Sequence, residues 1–185
     1  MLIKKNYREG ESPLFRLYPY GGFYPKIAET AYIADFVAIT GNVEIGEESS
    51  IWFHAVIRGD VEPTIIGSQT NIQDLCVLHQ SKGYPIQIGD RVTVGHQVIL
   101  HGCTIHSGAL IGMGSTLLDG AEIGEGAFIG AGSLITQNKK IPPYTLAFGR
   151  PAKVIRELTE EEVKEMERIN RSYVAKARYY RELSK

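Results

Sequence analysis

The stretch "IADFVAITGNVEIGEESSIWFHAVI", residues 33–57, places an isoleucine at every sixth position, from Ile33 to Ile57. The same spacing resumes further along the chain, with Ile, Leu or Val at each start. Those later starts are Ile66, Ile72, Leu78, Ile88, Val94, Leu100, Ile105, Ile111, Leu117, Ile123, Ile129 and Ile135. A period of six is neither the 3.6 of an α-helix nor the 2 of a single strand. It is typical of a short strand that ends in a sharp corner, with the aliphatic residue pointing inward.

The repeat predicts the fold class. Three six-residue units close one triangular coil, so the 17 starts predict an all-β solenoid, a parallel β-helix of about five to six triangular coils. We expect one domain. It contains a hexapeptide-repeat β-helix over residues 1–158, which includes a lead-in over 1–30, and a helical segment over 159–185.

The C-terminal part of the chain has a different composition. After "FGRPAKVIREL" (148–158), charged helix formers dominate, and Thr159 and Glu162 match a capping box. These signals predict an α-helix over about residues 160–183. Its apolar face should pack on the β-helix or on a neighbouring subunit.

The six-residue spacing breaks at three places. Residues 60–65 ("DVEPTI") and 80–87 ("QSKGYPIQ") are insertions, which predict loops at two corners of the solenoid. Residues 100–104 ("LHGCT") form a unit that is one residue short. Loops that leave a solenoid commonly carry function, so the surroundings of these breaks are where we expect a site.

The charge balance argues against two classes of partner. Twenty Lys and Arg against 21 Asp and Glu leave a net charge of −1, so no long-range field attracts nucleic acid or an anionic membrane. No apolar run approaches the roughly 20 residues that span a bilayer, and the start lacks a signal-peptide core. Two cysteines, Cys76 and Cys103, are too few for a disulfide scaffold. We expect reduced thiols in a cytoplasmic protein that binds neither nucleic acid nor membrane.

The segment "VTVGHQVILHGC" (92–103) carries two histidines inside an apolar run. Counting in sixes places His79 and His101 one residue after the starts on face 1 of successive coils. The two imidazoles should therefore stack roughly 4.8 Å apart, as neighbouring strands do. Arg58 holds the same place in the preceding coil and joins this column.

His96 falls on face 3, with Gln73 as its neighbour in the preceding coil, so it cannot meet His79 and His101 within one chain. A threefold ring that sets face 1 of one subunit against face 3 of the next brings the three imidazoles together. Three imidazoles with an open fourth position are the ligand set of a catalytic zinc. For each histidine alone, a hydrogen-bonded core residue is the alternative. Cys103 is either a soft ligand or a small buried thiol.

These residues resemble a γ-class carbonic anhydrase over about residues 30–150. The motifs that carry the resemblance are "AVIRGD" (55–60), "TNIQDLCVLH" (70–79) and "VTVGHQVILHGC" (92–103). The resemblance implies a left-handed β-helix, a homotrimer, and a lyase in which a metal-bound hydroxide attacks CO2 to give bicarbonate. The metal ligands that it implies are His79, His96 and His101. Zn2+ fits this set, and three imidazoles also accept Fe2+ or Co2+.

The resemblance extends to further site residues. By matching motif these are Arg58, Asp60, Asn71, Gln73, Asp74 and Tyr173. Arg58 and Asp60 match a pair that bridges subunits and structures the site, with a plain interface salt bridge as the alternative. Gln73 matches a residue that holds the metal-bound water by a hydrogen bond.

The other three matches keep two interpretations each. Asn71 and Asp74 match residues around the metal site, and both residue types also serve as turn residues that bond their own backbone. Tyr173 matches a tyrosine that reaches the site, and it also falls on the apolar face of the predicted helix.

The sequence departs from the most active pattern of that family. The loop "QSKGYPI" (80–86) contains Lys82 and no carboxylate where the family has an acidic loop with a shuttle glutamate. Val61 stands where the best-endowed members have a second catalytic glutamate, and Glu62 comes one residue later. Other hypotheses therefore stay open. They are a metal-dependent thioesterase or acyl-CoA-binding relative, a hexapeptide acyltransferase without a metal, and a purely structural trimer.

Overall fold

The computed structural model describes residues 15–183, which form a parallel β-helix of about seven triangular coils followed by one α-helix. Residues 1–14 of the expected lead-in and residues 184–185 lie outside this range. Face 1 contains β1 (Arg16–Tyr18), the first part of β4 (Ala38–Ile45), the first part of β6 (Val56–Ile66), β8 (Val77–His79), β11 (Ile99–His101), β14 (Thr116–Leu117) and β17 (Leu134–Ile135). Face 2 contains β2 (Lys26–Ile27), the later parts of β4 and β6, β9 (Ile86–Ile88), β12 (Thr104–Ile105), β15 (Glu122–Ile123) and β18 (Lys140–Ile141). Face 3 contains β3 (Tyr32–Ile33), β5 (Ser50–Ile51), β7 (Asn71–Ile72), β10 (Thr93–Val94), β13 (Leu110–Ile111), β16 (Phe128–Ile129) and β19 (Thr145–Gly149).

The strand register agrees with the counting in sixes, and the predicted fold class is confirmed. In the parallel pair β8 and β11, Leu78 lies level with Leu100 and His79 lies level with His101. Ile57 lies level with Leu78 one coil earlier. The aliphatic starts point inward and form the core, where Leu78 and Leu100 are fully buried. Burial of this continuous stack is the main favourable term in the stability of the solenoid.

The solenoid has more coils than the five to six expected, because it extends beyond the recognised starts at both ends. Leu17 and Ile27 open the first coil, and Ile141 and Ala147 take part in the last one. A tight turn at residues 20–23 interrupts the spacing between Leu17 and Ile27. Ala147 has a short side chain at a position where the repeat elsewhere has Ile, Leu or Val.

The corner from face 3 to face 1 determines where His96 lies. At this corner the backbone of four non-glycine residues adopts a left-handed conformation, with φ between 60° and 63°: Phe36, His54, Leu75 and Gln97. Non-glycine residues are uncommon in this region of φ/ψ space, so neighbouring coils must hold it. The N–H of Gln97 donates to the carbonyl of Asp74 at 2.9 Å. His96 therefore ends face 3 next to Asp74 of the preceding coil.

A hairpin and a helix complete the structure. β20 (Ala152–Glu157) pairs antiparallel with β19, and α1 (Glu160–Leu183) packs against face 3. The predicted capping box is confirmed. The N–H of Glu162 donates to Thr159 Oγ1 at 3.2 Å, and the N–H of Thr159 donates to the Glu162 carboxylate at 2.9 Å. Within residues 15–183, no helix is both long and apolar enough to cross a membrane.

Two neighbouring isoleucines in β6 test the inward stack. Ile66 is 2% exposed and points into the core, whereas Ile65 is 44% exposed on the outside of face 2. Ile66→Ala should lower the free energy of unfolding by about 2–5 kcal/mol, because it leaves a cavity in the stack. Ile65→Ala, the matched control, should change it by less than about 1 kcal/mol. Urea unfolding followed by circular dichroism measures both values. Equal effects would contradict the assigned direction of the strand.

Candidate metal centre

The histidine column on face 1 is linked by hydrogen bonds. His79 Nδ1 lies 3.2 Å from His101 Nε2, and His101 Nδ1 lies 2.8 Å from Asp119 Oδ1. At the other end, Arg58 Nη2 contacts His79 Nε2. A guanidinium only donates hydrogen bonds and a carboxylate only accepts them. Only one assignment of protons to the ring nitrogens therefore satisfies all the contacts of the column. Arg58 donates to His79 Nε2. His79 Nδ1–H then donates to His101 Nε2, and His101 Nδ1–H donates to Asp119.

Asp119 is a residue of this site that the sequence analysis missed. Leu117 lies level with Leu100 in the pair β11 and β14, so Asp119 belongs to the coil after that of His101. Counting in sixes places Asp119 one residue beyond the level of His101. The hydrogen bond between the two side chains forms across the corner of the coil. The signal that remains in the sequence is a carboxylate within one coil of a predicted histidine ligand. Carboxylates commonly bond metal-ligating histidines, so this signal was usable.

His96 has a carboxylate partner as well. Its Nδ1 lies 2.7 Å from Asp74 Oδ2, which places the proton on Nδ1 and leaves the lone pair on Nε2. The Asp74 side chain therefore bonds an imidazole. Within residues 15–183 of one chain, no three His, Cys, Asp or Glu side chains are grouped so that they could hold a metal ion. That His96 joins His79 and His101 through a second copy thus stays a prediction.

The donor set of the pair fits a metal ion. Two nitrogen ligands of a tetrahedral Zn2+, with metal–nitrogen distances of about 2.0–2.1 Å, lie about 3.3 Å apart. The facing nitrogens of His79 and His101 are 3.2 Å apart. Asp60 Oδ1 is buried and has no hydrogen-bond partner among the described residues, and it lies 3.4 Å from His79 Nε2. An ion on His79 Nδ1 would leave the ring proton on Nε2, next to this acceptor.

The surroundings of His79 favour the neutral imidazole, which is the form that binds metal. Burial lowers the pKa of His79 below its ordinary value, the Arg58 guanidinium lowers it further, and the Asp60 carboxylate opposes both. Arg58 and Asp60 also pair with each other in one chain, with 3.3 Å between Nε and Oδ2. Their predicted role as a bridge between subunits stays a prediction.

A buried amide network fixes the orientation of Gln73. Asn71 Nδ2 lies 3.4 Å from the carbonyl of Val92, which only accepts, and 2.9 Å from Thr93 Oγ1. Asn71 Oδ1 must then be the acceptor for Gln73 Nε2, at 3.0 Å. This leaves Gln73 Oε1 as an acceptor for a further donor. Both amides are at least 95% buried, so their orientation is well defined: Asn71 is 1% and Gln73 4% exposed.

Tyr173 packs between the helix and the β-helix. Its ring meets Trp52 edge-on, with 5.5 Å between the ring centroids. Burial raises the pKa of Tyr173, and the Asp74 carboxylate raises it further. The structure therefore shows the packing interpretation, and the role of Tyr173 in the site stays a prediction.

The loop at residues 80–87 is held by Glu62. The Gly83 N–H donates to Glu62 Oε1 at 2.8 Å, so this carboxylate fixes the loop. Val61 is 49% exposed beside it. Val61 has no carboxylate, and the Glu62 carboxylate accepts a hydrogen bond from the loop through Oε1.

The two thiols are structural. Cys103 is 1% exposed, and burial raises the pKa of its thiol to about 12. Cys76 is fully buried, and burial likewise raises its pKa to about 12. Only a thiolate is a good metal ligand. The structure thus favours the interpretation of Cys103 as a small buried thiol.

The amide network gives a testable prediction. Asn71→Ala should lower the free energy of unfolding by about 1–3 kcal/mol, because Thr93 Oγ1 and Gln73 Nε2 lose a buried partner. Gln137→Ala, at an exposed position, is the control and should change it by less than about 0.5 kcal/mol. Chemical unfolding measures both. An unchanged stability for Asn71→Ala would rule out the network as the element that fixes Gln73.

Comparison with known proteins identifies the family. The model of the bacterial transferase hexapeptide (six repeats) matches residues 102–137. A protein of Geobacillus kaustophilus named carbonic anhydrase is 64% identical over 90% of this chain and 92% of its own. Gamma carbonic anhydrase 2 of Arabidopsis thaliana, a mitochondrial protein, is 41% identical over 81% of this chain and 56% of its own. A crystal structure from Bacillus cereus, described as an acetyltransferase, superposes with a TM-score of 0.91 at 68% identity and covers 92% of this chain and 99% of its own. With these relatives and the hexapeptide β-helix, the chain belongs to the γ-class carbonic anhydrase family.

Proposed function

We propose that this protein is a metal-dependent carbonic anhydrase that hydrates CO2 to bicarbonate at a site shared between subunits of a homotrimer. The observation that carries the proposal is the pair of facing nitrogens, His79 Nδ1 and His101 Nε2, which lie 3.2 Å apart on adjacent coils. Membership of the γ-class family supports a metal cofactor and CO2 as the substrate.

The ion proposed is Zn2+, and the same imidazoles also accept Fe2+ or Co2+. When bound, such a dication supplies a hydroxide nucleophile at neutral pH by lowering the pKa of a coordinated water. One subunit would provide His79 Nδ1 and His101 Nε2 as ligands, and its neighbour would provide His96 Nε2. The carboxylates of Asp119 and Asp74 hold two of the three rings with the correct nitrogen free.

Exposed apolar side chains support a subunit interface beside the histidine column. Val77 and Ile99 lie level with each other on face 1, two residues before the histidines, and are 40% and 44% exposed. Leu75, at the neighbouring corner, is 50% exposed. Adjacent exposed apolar residues commonly mark contact surfaces. Packing the edge of face 3 that carries His96, in a second copy, against this strip would cover it and bring His96 to the pair.

Gln73 orients the nucleophile. Its Nε2 is engaged by Asn71, so Gln73 Oε1 is the atom that would accept a hydrogen bond from the O–H of a hydroxide nucleophile. Such a bond would orient that oxygen for attack on CO2. The Gln73 amide is buried and hydrogen-bonded, so it already has this orientation before the reaction. No conformational entropy has to be lost to orient it.

Export of the proton is the weak step of the proposed site. A carboxylate or imidazole normally carries the proton to solvent, and the loop at residues 80–87 has no carboxylate. Glu62 is engaged with the Gly83 N–H. This observation favours hydrolysis of a thioester as a second candidate function, because that reaction uses the same nucleophile and does not depend on fast proton export.

Mixed trimers test the shared site. We expect the wild type to bind one metal per site, and His79→Ala and His96→Ala trimers to bind none. Each mixed trimer that contains both variants should regain one of its three sites, because one interface joins an intact face 1 to an intact face 3. Co-expression with two affinity tags, followed by metal analysis of the doubly tagged trimers, measures this recovery. Mixed trimers without metal, or a monomeric wild type in sedimentation, would refute the shared site.

The rate of CO2 hydration should depend on added buffer. With no carboxylate in the loop, we expect stopped-flow hydration by the Zn2+- or Fe2+-loaded protein to rise with imidazole concentration, which replaces the missing proton carrier. His101→Ala should abolish both the rate and its dependence on imidazole. If neither metal form exceeds the buffer rate at any imidazole concentration, CO2 hydration is excluded and thioester hydrolysis becomes the leading candidate.

A further inference from the structure

We propose that Asp119 is a positioning residue for the metal site: its carboxylate holds the His101 ring with the proton on Nδ1 and the lone pair on Nε2. The inference rests on the proposed function, in which His101 Nε2 is a ligand. It assigns a role to a residue that neither the sequence motifs nor the family resemblance singled out.

The geometry of the pair determines the tautomer. His101 Nδ1 lies 2.8 Å from Asp119 Oδ1, and the two side chains are only 33% and 20% exposed. A carboxylate cannot donate, so the hydrogen bond requires the proton on Nδ1. Among the described residues, the side-chain hydrogen bonds of the ring are to Asp119 at Nδ1 and to His79 Nδ1 at Nε2. Asp119 is therefore the partner that fixes the proton on Nδ1 once His79 Nδ1 no longer donates, and without both bonds the proton could also occupy Nε2, the nitrogen that must be free for a metal.

The fold is adapted to this contact at Gly102. The unit at residues 100–104 is one residue short, and Gly102 turns the chain with a positive φ of 55°. A Cβ on Gly102 would collide with Asp119 Oδ1, and it would lie 2.7 Å from Tyr84 Cβ. The glycine therefore leaves the space through which the carboxylate reaches His101. The short unit and the glycine, both visible in the sequence, have one structural explanation in this contact.

The backbone of the corner holds Asp119 in place. The Asn138 N–H donates to the Asp119 carbonyl at 2.9 Å, and the Gly120 N–H donates to the Gly102 carbonyl at 2.7 Å. These bonds join three successive coils. Asp119 is thus presented by a rigid element, as a residue that orients a ligand must be.

The chain contains a matched pair away from the site. His106 Nε2 lies 3.2 Å from Glu122 Oε1 on the outside of face 2, and the His106 side chain is 49% exposed. This pair has the same chemistry, an imidazole and a carboxylate in adjacent coils, and it does not belong to the histidine column. Glu122→Gln is therefore the control for Asp119→Asn.

The first measurement uses the metal-free trimer. Long-range 1H–15N correlation of the histidine rings should show His101 as the Nδ1–H tautomer in the wild type and in Glu122→Gln. His79→Ala, which removes the donor to His101 Nε2, should keep the Nδ1–H form, and His79→Ala/Asp119→Ala should give a mixture or the Nε2–H tautomer of His101. Asp119→Asn keeps an oxygen acceptor and should retain the Nδ1–H form, which separates loss of the bond from loss of the fold. An unchanged His101 tautomer in His79→Ala/Asp119→Ala would overturn the proposal whether or not the protein binds metal.

The second measurement is metal affinity, from competition for Zn2+ with a chromophoric chelator. Asp119→Ala should bind Zn2+ about 10–100-fold more weakly than the wild type, and Asp119→Asn should lie between them. Glu122→Gln should match the wild type. Wild-type affinity in Asp119→Ala would overturn the role of Asp119. A wild type that binds none of Zn2+, Fe2+ and Co2+ would instead refute the proposed function, and the tautomer measurement would then decide the role of Asp119 by itself.

Discussion

The stacking of one inward aliphatic side chain on the next, coil after coil, is the constraint on which the rest of this structure depends. Because Leu78 and Leu100 lie level in the core, the residues that follow them must also lie level on the outside. A slip of one residue would bury the histidines and expose the leucines. The insertion at residues 80–87 leaves this register intact, since the chain re-enters the stack at Ile88, level with Ile66. The core thereby sets the distance between the two imidazoles.

The charged residues at the two ends of the histidine column determine which ring nitrogens carry protons. Arg58 can only donate and Asp119 can only accept, so both imidazoles between them have defined tautomers. The facing nitrogens of His79 and His101 share one proton in the metal-free chain. A dication would occupy the position of that proton. The hydrogen-bonded pair thus already has the spacing that the proposed metal site requires.

The sequence alone was sufficient for the solenoid, its register and the stacking of His79 on His101, because a six-residue period with inward aliphatic residues leaves little freedom in the fold. The first and last coils were missed, since a turn interrupts the spacing after Leu17 and Ala147 is small. Asp119 was missed for a different reason. Counting in sixes gives the level of a residue along the solenoid but not the direction of its side chain. The contact between Asp119 and His101 crosses a corner, where that direction depends on the positive φ of Gly102.

The buried atom Asp60 Oδ1 links this arrangement to the surrounding charges. Its partner oxygen, Oδ2, pairs with Arg58 Nε, whereas Oδ1 has no hydrogen bond among the described residues although it is buried. An unpaired buried carboxylate oxygen is costly, so it requires a reason. His79 Nε2 is 3.4 Å away and is occupied by the Arg58 donor in the metal-free chain. An ion on His79 Nδ1 would reverse this, since the proton on Nε2 would then face Asp60 Oδ1 and displace the Arg58 donor. In the proposed metal site, the Asp60 oxygen would thereby gain the hydrogen-bond partner that it lacks in the metal-free chain.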